Sequence, residues 1–381
     1  MYDRWVGAAA AGHVSGVTLL DLSAAFDLVE PSILIKKLRI YGLDENFLAW
    51  VESYLTNRYQ AVWIDHSLSE FLACDVGVPQ GSNLGPLFFL IFYNDLPYSL
   101  NCELDVFADD STITATGTAA EIGTELTNEG KKVSDWMLAN KLKLNADKTH
   151  LLTVGTQQRL STLPNPPQVY MDGILIEEGK EKSELLLGCY IQSNLKWHVQ
   201  VENLLSKLKT RLAGLNKIKY IVPYNNRKII TQSIFNSIMI YCLPLFGGCD
   251  QKEIKDLQVL QNKAAHIVTH APPRSRRSDL FDRLEWLTVN QLIVYHTLIS
   301  VFKIRQNKEP EYLAERLLND TCTGRILIPN VQLRLTQNSF LIRGSTNWNQ
   351  LPQHIRNQTK IGSFKMKVKK WIVENVQRFK E

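Results

Sequence analysis

The run Leu104-Asp105-Val106-Phe107-Ala108-Asp109-Asp110-Ser111-Thr112-Ile113-Thr114-Ala115-Thr116 decides how this chain is read. Residues 104–108 make a short strand, 111–116 alternate as its antiparallel partner, and Asp109-Asp110 fall in the tight turn between them. Upstream, residues 17–22 are a short, mostly apolar run with a β-branched start that reads as a buried strand with one carboxylate, Asp21, near its end. If these strands are neighbours, their carboxylates repel one another, and the cluster raises at least one pKa or demands a divalent cation. Hard oxygen ligands suit Mg2+ or Mn2+, and two such ions are the usual means of activating a hydroxyl and stabilising a leaving pyrophosphate. Taken alone, an Asp-Asp pair in a turn is more often plain turn chemistry.

Working outward, Pro31 opens a helix over 32–41 that Gly42 stops, and 44–55 form a second. Residues 59–64 and 70–78 read as strands, Pro79-Gln80-Gly81-Ser82 breaks the pattern, and 84–94 are helical. A long helix is expected over 119–142, against the preference of Gly123 and Gly130. A strand follows at 150–155, then a proline-rich loop at 161–167, a hairpin over 169–177 turning at Asp172-Gly173, and a strand at 185–191. From Trp197 onward basic helices take over, at 199–220, 225–239 and 252–269. A candidate linker at 272–277 precedes a helical region over 280–305, and an amphipathic helix over 364–379 ends the chain.

Charge divides the same way. The net charge of +5 is the sum of −12 over residues 1–190 and +17 over the remainder. Such a split suggests one part that concentrates carboxylates and another that handles something anionic. Hydrophobic content of 45% excludes disorder. No uninterrupted apolar run reaches the roughly 18 residues of a membrane span, and nothing marks the chain for secretion, so an intracellular place, nuclear or cytoplasmic, is expected. Cys74, Cys102, Cys189, Cys242, Cys249 and Cys322 are too dispersed for a disulfide scaffold or a zinc site. His266 and His270 stand four apart but lack the glutamate of a metalloprotease motif.

Four segments change the weight of the carboxylates. Leu20-Asp21-Leu22-Ser23-Ala24-Ala25-Phe26-Asp27, Gly77-Val78-Pro79-Gln80-Gly81-Ser82, Phe107-Ala108-Asp109-Asp110 and Leu144-Asn145-Ala146-Asp147-Lys148-Thr149 resemble, in order and spacing, reverse-transcriptase motifs A to D. In detail the chain is similar to the non-LTR (LINE-type, jockey-like) retrotransposon enzymes. Lys37-Leu38 with Tyr41-Gly42, Ser53-Tyr54-Leu55-Thr56-Asn57-Arg58, Leu187-Gly188 in the primer-grip position and Trp348-Asn349-Gln350-Leu351-Pro352 extend the likeness along the chain.

The resemblance implies an α+β fold: a palm with a small antiparallel sheet backed by helices over 1–194, a helical thumb over 195–271 and a C-terminal helical extension over 272–381. It implies an RNA-directed DNA polymerase working by two-metal nucleotidyl transfer with Mg2+ or Mn2+, on template RNA, primer DNA and deoxynucleoside triphosphates. Asp21 and Asp109 then bind both metals, with Asp110 in support. Phe26 lies under the incoming sugar as a steric gate, and Pro79, Gln80 and Gly81 form the turn over the nascent base pair, where Gly81 permits close backbone approach. Lys148 approaches the triphosphate and protonates the departing pyrophosphate.

Lys207, Lys209, Arg211, Lys217 and Lys219 suit phosphate contacts along an RNA–DNA duplex. Arg274, Arg276, Arg277 and Lys365, Lys367, Lys369 and Lys370 are further phosphate candidates, although a charge run is more often a solvated face. The family has a fingers region ahead of motif A, whereas only twenty residues precede Asp21. The chain therefore reads as a C-terminal fragment with the fingers largely absent, expected to be weakly active or inactive alone. A non-catalytic nucleic-acid-binding remnant is the alternative. Phe26, and Ala108 in place of the glycine of a Gly-Asp-Asp turn, disfavour an RNA-templated RNA polymerase.

Overall fold

The computed structural model describes residues 1–163, 165–179, 182–272, 274–321 and 324–375. Pro164 of the proline-rich loop, Pro273 of the candidate linker, Cys322 and the 376–379 end of the terminal helix lie outside the described residues. The chain forms two compact units, one of Met1 with Ala11–Leu187 and one of Tyr2–Ala10 with Gly188–Glu381. The expected divisions were at 194/195 and 271/272, so the first falls a few residues from an observed boundary and the second has no counterpart in this division.

After α1 (Tyr2–Ala10), which belongs to the second unit, the chain enters β1 (Val14–Leu20), α2 (Pro31–Ile40) and α3 (Glu45–Leu55). An arm of short strands follows, β2 (Arg58–Gln60), β3 (Trp63–Ile64), β4 (Ser67–Leu68) and β5 (Leu72–Cys74), and then α4 (Gly85–Tyr93). Next come β6 (Glu103–Phe107), β7 (Asp110–Gly117), α5 (Ala119–Ala139), β8 (His150–Val154), α6 (Gln157–Thr162), β9 (Val169–Met171), β10 (Ile174–Ile176) and β11 (Ser183–Leu186).

The centre of this unit is a four-stranded sheet in the order β6-β7-β1-β8, antiparallel throughout. β1 starts three residues earlier than expected and ends at Leu20, so Asp21 stands just past it. Apolar helices cover the sheet. Phe88, Phe89, Phe92 and Tyr93 of α4 are all buried, with Leu34 and Leu38 of α2 and Leu48, Val51 and Leu55 of α3, each such side chain contributing about 1.5–3 kcal/mol. Lys37 ties α2 to the end of α4, its Nζ donating to Phe92 O at 2.5 Å and to Asp95 Oδ1 at 2.8 Å. Carbonyls at a helix C-terminus favour such a cation.

Gly123 and Gly130, which weaken α5 as a helix, have a packing reason. A Cβ on Gly123 would stand 2.8 Å from Gln168 O, and one on Gly130 2.8 Å from the Met171 side chain, so both let the β9 segment lie against the helix. The β9–β10 hairpin turns at Asp172-Gly173 as expected, both with positive φ.

Three expectations need correction. The strands expected at 59–64 and 70–78 are instead four short ones, β2 pairing with β5 and β3 with β4; Tyr59, Trp63, Ile64, Phe71 and Leu72 are exposed, so no core holds the arm in one longer ladder. The loop over 161–167 begins inside α6, which Thr156 caps by accepting from Arg159 N at 3.3 Å. The strand over 185–191 is interrupted at Leu187-Gly188, both at positive φ, giving β11 and β12 (Cys189–Gln192).

The second unit continues through α7 (His198–Ile218), α8 (Tyr224–Thr231), a π-helical stretch (Gln232–Asn236), α9 (Ser237–Ile240), α10 (Leu243–Phe246) and α11 (Gln251–Thr269). It ends with α12 (Arg277–Leu284), α13 (Val289–Asn307), α14 (Glu311–Leu318), α15 (Arg334–Gln337), α16 (Phe340–Gln350), α17 (Gln353–Arg356) and α18 (Ile361–Glu374). Buried Arg227 joins the ends of α7 and α11 by donating to Lys219 O, Val222 O and Val268 O. The expected helical region over 280–305 is α12 and α13, separated at Glu285, which adopts φ 56°.

The stretch Arg277–Asn307 reaches a mean hydropathy of 1.3 over a window of membrane-spanning length, with half of that window buried inside the fold. Apolar core helices pass the same test. In α18, Phe364 stacks on Phe302 at 4.2 Å, and Val368, Trp371 and Ile372 are buried beside it.

Candidate active site

The β6–β7 hairpin sets the first carboxylates. Phe107 pairs with Asp110, leaving Ala108-Asp109 as a two-residue connection. The turn is therefore one residue earlier than expected: Asp110 opens β7, and Ala108 adopts φ 53°. A side chain is disfavoured in that left-handed region, and the ladders on either side hold it there. Because Leu20 lies opposite Ser111, Asp21 and Asp110 are the next residues outward on adjacent chains. The sheet thus brings Asp21, Asp109 and Asp110 to one end.

Asp21 is further fixed by the segment 144–149. Its N–H donates to Thr149 Oγ1 at 3.3 Å, Thr149 Oγ1 donates to Asn145 O at 2.8 Å, and Asn145 N donates to Asp21 O at 2.9 Å. Ser23 N donates to Lys143 O at 3.0 Å, and Leu22 bridges Leu144, so two segments far apart in sequence run side by side.

Desolvation, and then the negative charges of Asp109 and Asp21, push the Asp110 carboxyl above the usual aspartate range although the residue is largely exposed. Among the described residues, no lysine or arginine forms an ion pair with any of the three. Oxygen donors with uncompensated charge have the right chemistry for a hard divalent cation. Among the described residues, however, no three His, Cys, Asp or Glu side chains form a ready-made metal-binding group.

The turn over 77–82 is bound to the segment following Asp21. Gly77 N donates to Val29 O at 2.8 Å, Val78 N to Phe26 O at 2.9 Å, and Gln80 Nε2 to Asp27 Oδ1 at 2.8 Å. A Cβ on Gly77 would meet Asp27 Cα and O at 2.8 Å, so the close approach within the chain belongs to Gly77. At Gly81 nothing lies within 4 Å, and its φ of 77° is what requires glycine. Ser82 Oγ donates to Pro79 O at 2.7 Å and accepts from Gly85 N at 2.9 Å, holding the turn on the start of α4. Half-buried Phe26 stacks on Phe89 with centroids 4.5 Å apart. Lys148 ends a short 3-10 turn and is exposed.

In the second unit, α7 buries Leu204, Leu208, Leu212 and Leu215. At about 100° per residue, Lys207 and Arg211 share one flank of that stripe, Lys209 lies on the other, and Lys217 is opposite it. Lys219 follows the helix and places Nζ 4.7 Å from the Tyr220 ring centroid. The five candidates therefore do not form one stripe. His270 leaves the helix at φ 53° with Nε2 2.7 Å from Lys219 O, and His266 Nδ1 is 3.4 Å from Ala271 O, so each ring is engaged by a different backbone carbonyl.

The family described as reverse transcriptase (RNA-dependent DNA polymerase) matches residues 7–221, more than half of the 381. The chain belongs to the reverse transcriptase family.

Among similar proteins is a Drosophila melanogaster "Probable RNA-directed DNA polymerase from transposon X-element", 25% identical over 287 residues that cover 73% of this chain and 31% of that protein. The "RNA-directed DNA polymerase from mobile element jockey" of the same organism is 24% identical over 313 residues, covering 78% and 33%. The chain thus spans about a third of the length of these relatives. A solved telomerase from Candida tropicalis, with a fragment of telomeric RNA, overlaps 83% of this chain and 52% of its own at 12% identity and a TM-score of 0.39.

Two residues of this reverse transcriptase family member make contacts that motif reading does not assign. Thr149 holds the backbone of Asp21, and Asp27 holds Gln80. Asp27 carried a signal, as the second carboxylate of its motif. Thr149 is 128 residues from its partner, and no local pattern marks the pairing.

Proposed function

We propose that this chain carries the RNA-directed DNA polymerase site of a jockey-like non-LTR retrotransposon, in a palm formed by the sheet unit with a helical thumb after it. The observation that carries the reading is the convergence of Asp21, Asp109 and Asp110 at one end of the sheet, without basic partners among the described residues and beside a turn bonded to residues 26–29. Asp21 and Asp109 would hold two Mg2+ or Mn2+ ions, with Asp110 in support, and the ions would supply activation of the primer hydroxyl and stabilisation of the leaving pyrophosphate. As no tight three-residue group exists among the described residues, the remaining ligands would come from the triphosphate and water.

In this reading each neighbouring group has a task. Phe26, stacked on Phe89, would supply a bulky ring that clashes with a 2′-hydroxyl and so favours deoxynucleotides. Asp27 fixes the Gln80 amide, while Pro79 and Gly81 shape the turn on which the nascent pair rests. Exposed Lys148 is free to swing toward the triphosphate and give a proton to pyrophosphate. Lys207, Lys209, Arg211, Lys217 and Lys219 would meet template RNA and primer DNA through phosphates, giving sequence-tolerant, salt-dependent affinity.

Primer extension on poly(rA)–oligo(dT) with Mg2+ and dTTP tests this. At most weak incorporation is expected from this chain alone, and whatever is seen should fall to background in Asp109→Asn. Template binding without incorporation by the unaltered chain would instead support the non-catalytic nucleic-acid-binding remnant.

A further inference from the structure

The helical unit contains a guanidinium that nucleotidyl transfer does not use. Arg343 stands in the first turn of α16, where its Nε donates to Asn338 O at 2.9 Å and its Nη2 to Pro244 O at 2.6 Å and Leu245 O at 3.3 Å. Those bonds brace α16 against α10. They leave out Nη1, which is buried and has no hydrogen-bond partner among the described residues. Gly247 makes room for it, since a Cβ there would lie 3.1 Å from Nη1. Among the described residues no carboxylate forms an ion pair with Arg343. Asp3 is close enough to be felt, but burial pushes its carboxyl above the usual aspartate range, so it is only a partial counter-charge. The guanidinium itself, brought by burial down to about 10, stays charged at neutral pH.

Arg343 lines a cavity of about 390 Å³ that lies wholly within the helical unit. The first turns of three helices border it, α11 at Gln251, α13 at Asn290 and α16 at Arg343. Helix N-termini carry partial positive charge and favour an anion. Asn347 is four residues beyond Arg343 and so on the same face of α16. Its side-chain amide, like that of Asn290, lines the cavity and makes no hydrogen bond among the described residues. The carboxylates at the start of α11 are already engaged: Asp250 Oδ1 pairs with Arg334 Nη2 at 3.4 Å, while Glu253 Oε2 accepts from Asp250 N at 2.8 Å and its Oε1 faces His198 at 3.3 Å. A buried charge is costly unless it is paired, and the donors around this cavity suit an oxyanion better than a cation or a neutral ligand.

We propose that this cavity binds a phosphoryl group, held by the Arg343 guanidinium and the Asn290 and Asn347 amides where the three helices begin. The guanidinium supplies the charge-assisted hydrogen bond, which is the strong one, and the amides supply neutral donors beside it. The ligand chemistry is a tetrahedral phosphate oxyanion, carried either by free phosphate or by a nucleic-acid phosphodiester. The carboxylate end of the sheet belongs to the other unit, so this site does not rest on the polymerase reading.

Calorimetric titration of the full chain with inorganic phosphate, and separately with the dinucleotide TpT, which has one phosphodiester and no terminal phosphate, tests the proposal. Saturable binding of at least one of them is expected. Arg343 also braces α16, so the decisive variants leave it in place. Asn290→Asp and Asn347→Asp each put a carboxylate on the cavity wall, and in the first turn of α13 an acidic residue suits the helix. Both should keep the circular dichroism of the unaltered chain and weaken binding by about tenfold or more through like-charge repulsion. Binding of phosphate that TpT does not displace assigns the site to free phosphate, and displacement or binding by TpT assigns it to a phosphodiester. No saturable binding of either probe by the unaltered chain, or equal binding by both folded variants, overturns the proposal. The readout does not depend on DNA synthesis, so an inactive polymerase leaves it decisive.

Discussion

At Asp21 the chain leaves β1, and Thr149 replaces the support that the ladder no longer gives. Thr149→Val keeps the shape but removes a hydrogen bond to the Asp21 backbone and one to Asn145 O. The expected cost is about 1 kcal/mol in urea unfolding, with kcat for primer extension falling more than template affinity, because the change acts on the carboxylate rather than on the duplex. Asp110 predicts a pH effect. Its folded-state pKa is raised, so the folded chain keeps this proton to a higher pH than the unfolded chain does, and its contribution to stability is lost as pH rises above the ordinary aspartate value of about 3.9. In metal-free buffer, Asp110→Asn is expected to raise the thermal midpoint near pH 7 and to change it little below pH 4; equal effects at both would contradict the assignment. The aspartates themselves were readable from motif order. The turn position was not, because Ala108 rather than Asp110 adopts the left-handed conformation, and only strand pairing reveals that.

Among elements, the helices and the sheet hairpin were legible where local signals agreed with packing. Pro31 opens α2, and Asp44 caps α3 by accepting from Phe47 N at 3.0 Å. The arm over 58–74 was less legible because its alternation is not a burial pattern, and its apolar residues face solvent. The turn at 77–82 has a clear point of failure. Gly77→Ala must place a methyl 2.8 Å from the Asp27 backbone at φ 84°, which should cost about 1–3 kcal/mol and loosen the Gln80–Asp27 bond. Thermal unfolding together with single-nucleotide incorporation would check both effects. On α7, Lys207→Ala with Arg211→Ala should flatten the log–log salt dependence of template binding by about 2 while leaving the helix folded. An unchanged slope would remove that flank from the proposed duplex contacts.

Over the whole molecule, the charge split at residue 190 falls close to the boundary between the two units at 187/188. The acidic half contains the carboxylate end of the sheet, and the basic half is the helical unit with the proposed phosphate contacts. What composition could not show is the continuity of that unit across the candidate linker at 272–277. Gln261 Nε2 donates to Leu287 O at 2.9 Å, and Val289 N donates to Gln258 Oε1 at 2.8 Å, bracing α11 to the start of α13. These bonds join residues on either side of the linker, and a local reading sees only prolines and arginines between them. α1 is likewise invisible as part of this unit until Tyr2 OH is seen donating to Leu195 O at 2.8 Å.

The central claim is that Asp21 and Asp109 form a divalent-cation site at the end of the sheet, and Mn2+ titration followed by electron paramagnetic resonance tests it most directly. The full chain, with poly(rA)–oligo(dT) and dTTP, should show saturable Mn2+ binding above that of nucleotide and duplex alone. Asp21→Asn and Asp109→Asn should each abolish that excess while leaving circular dichroism unchanged. No excess in the unaltered chain, or the same excess in both folded variants, would contradict the account.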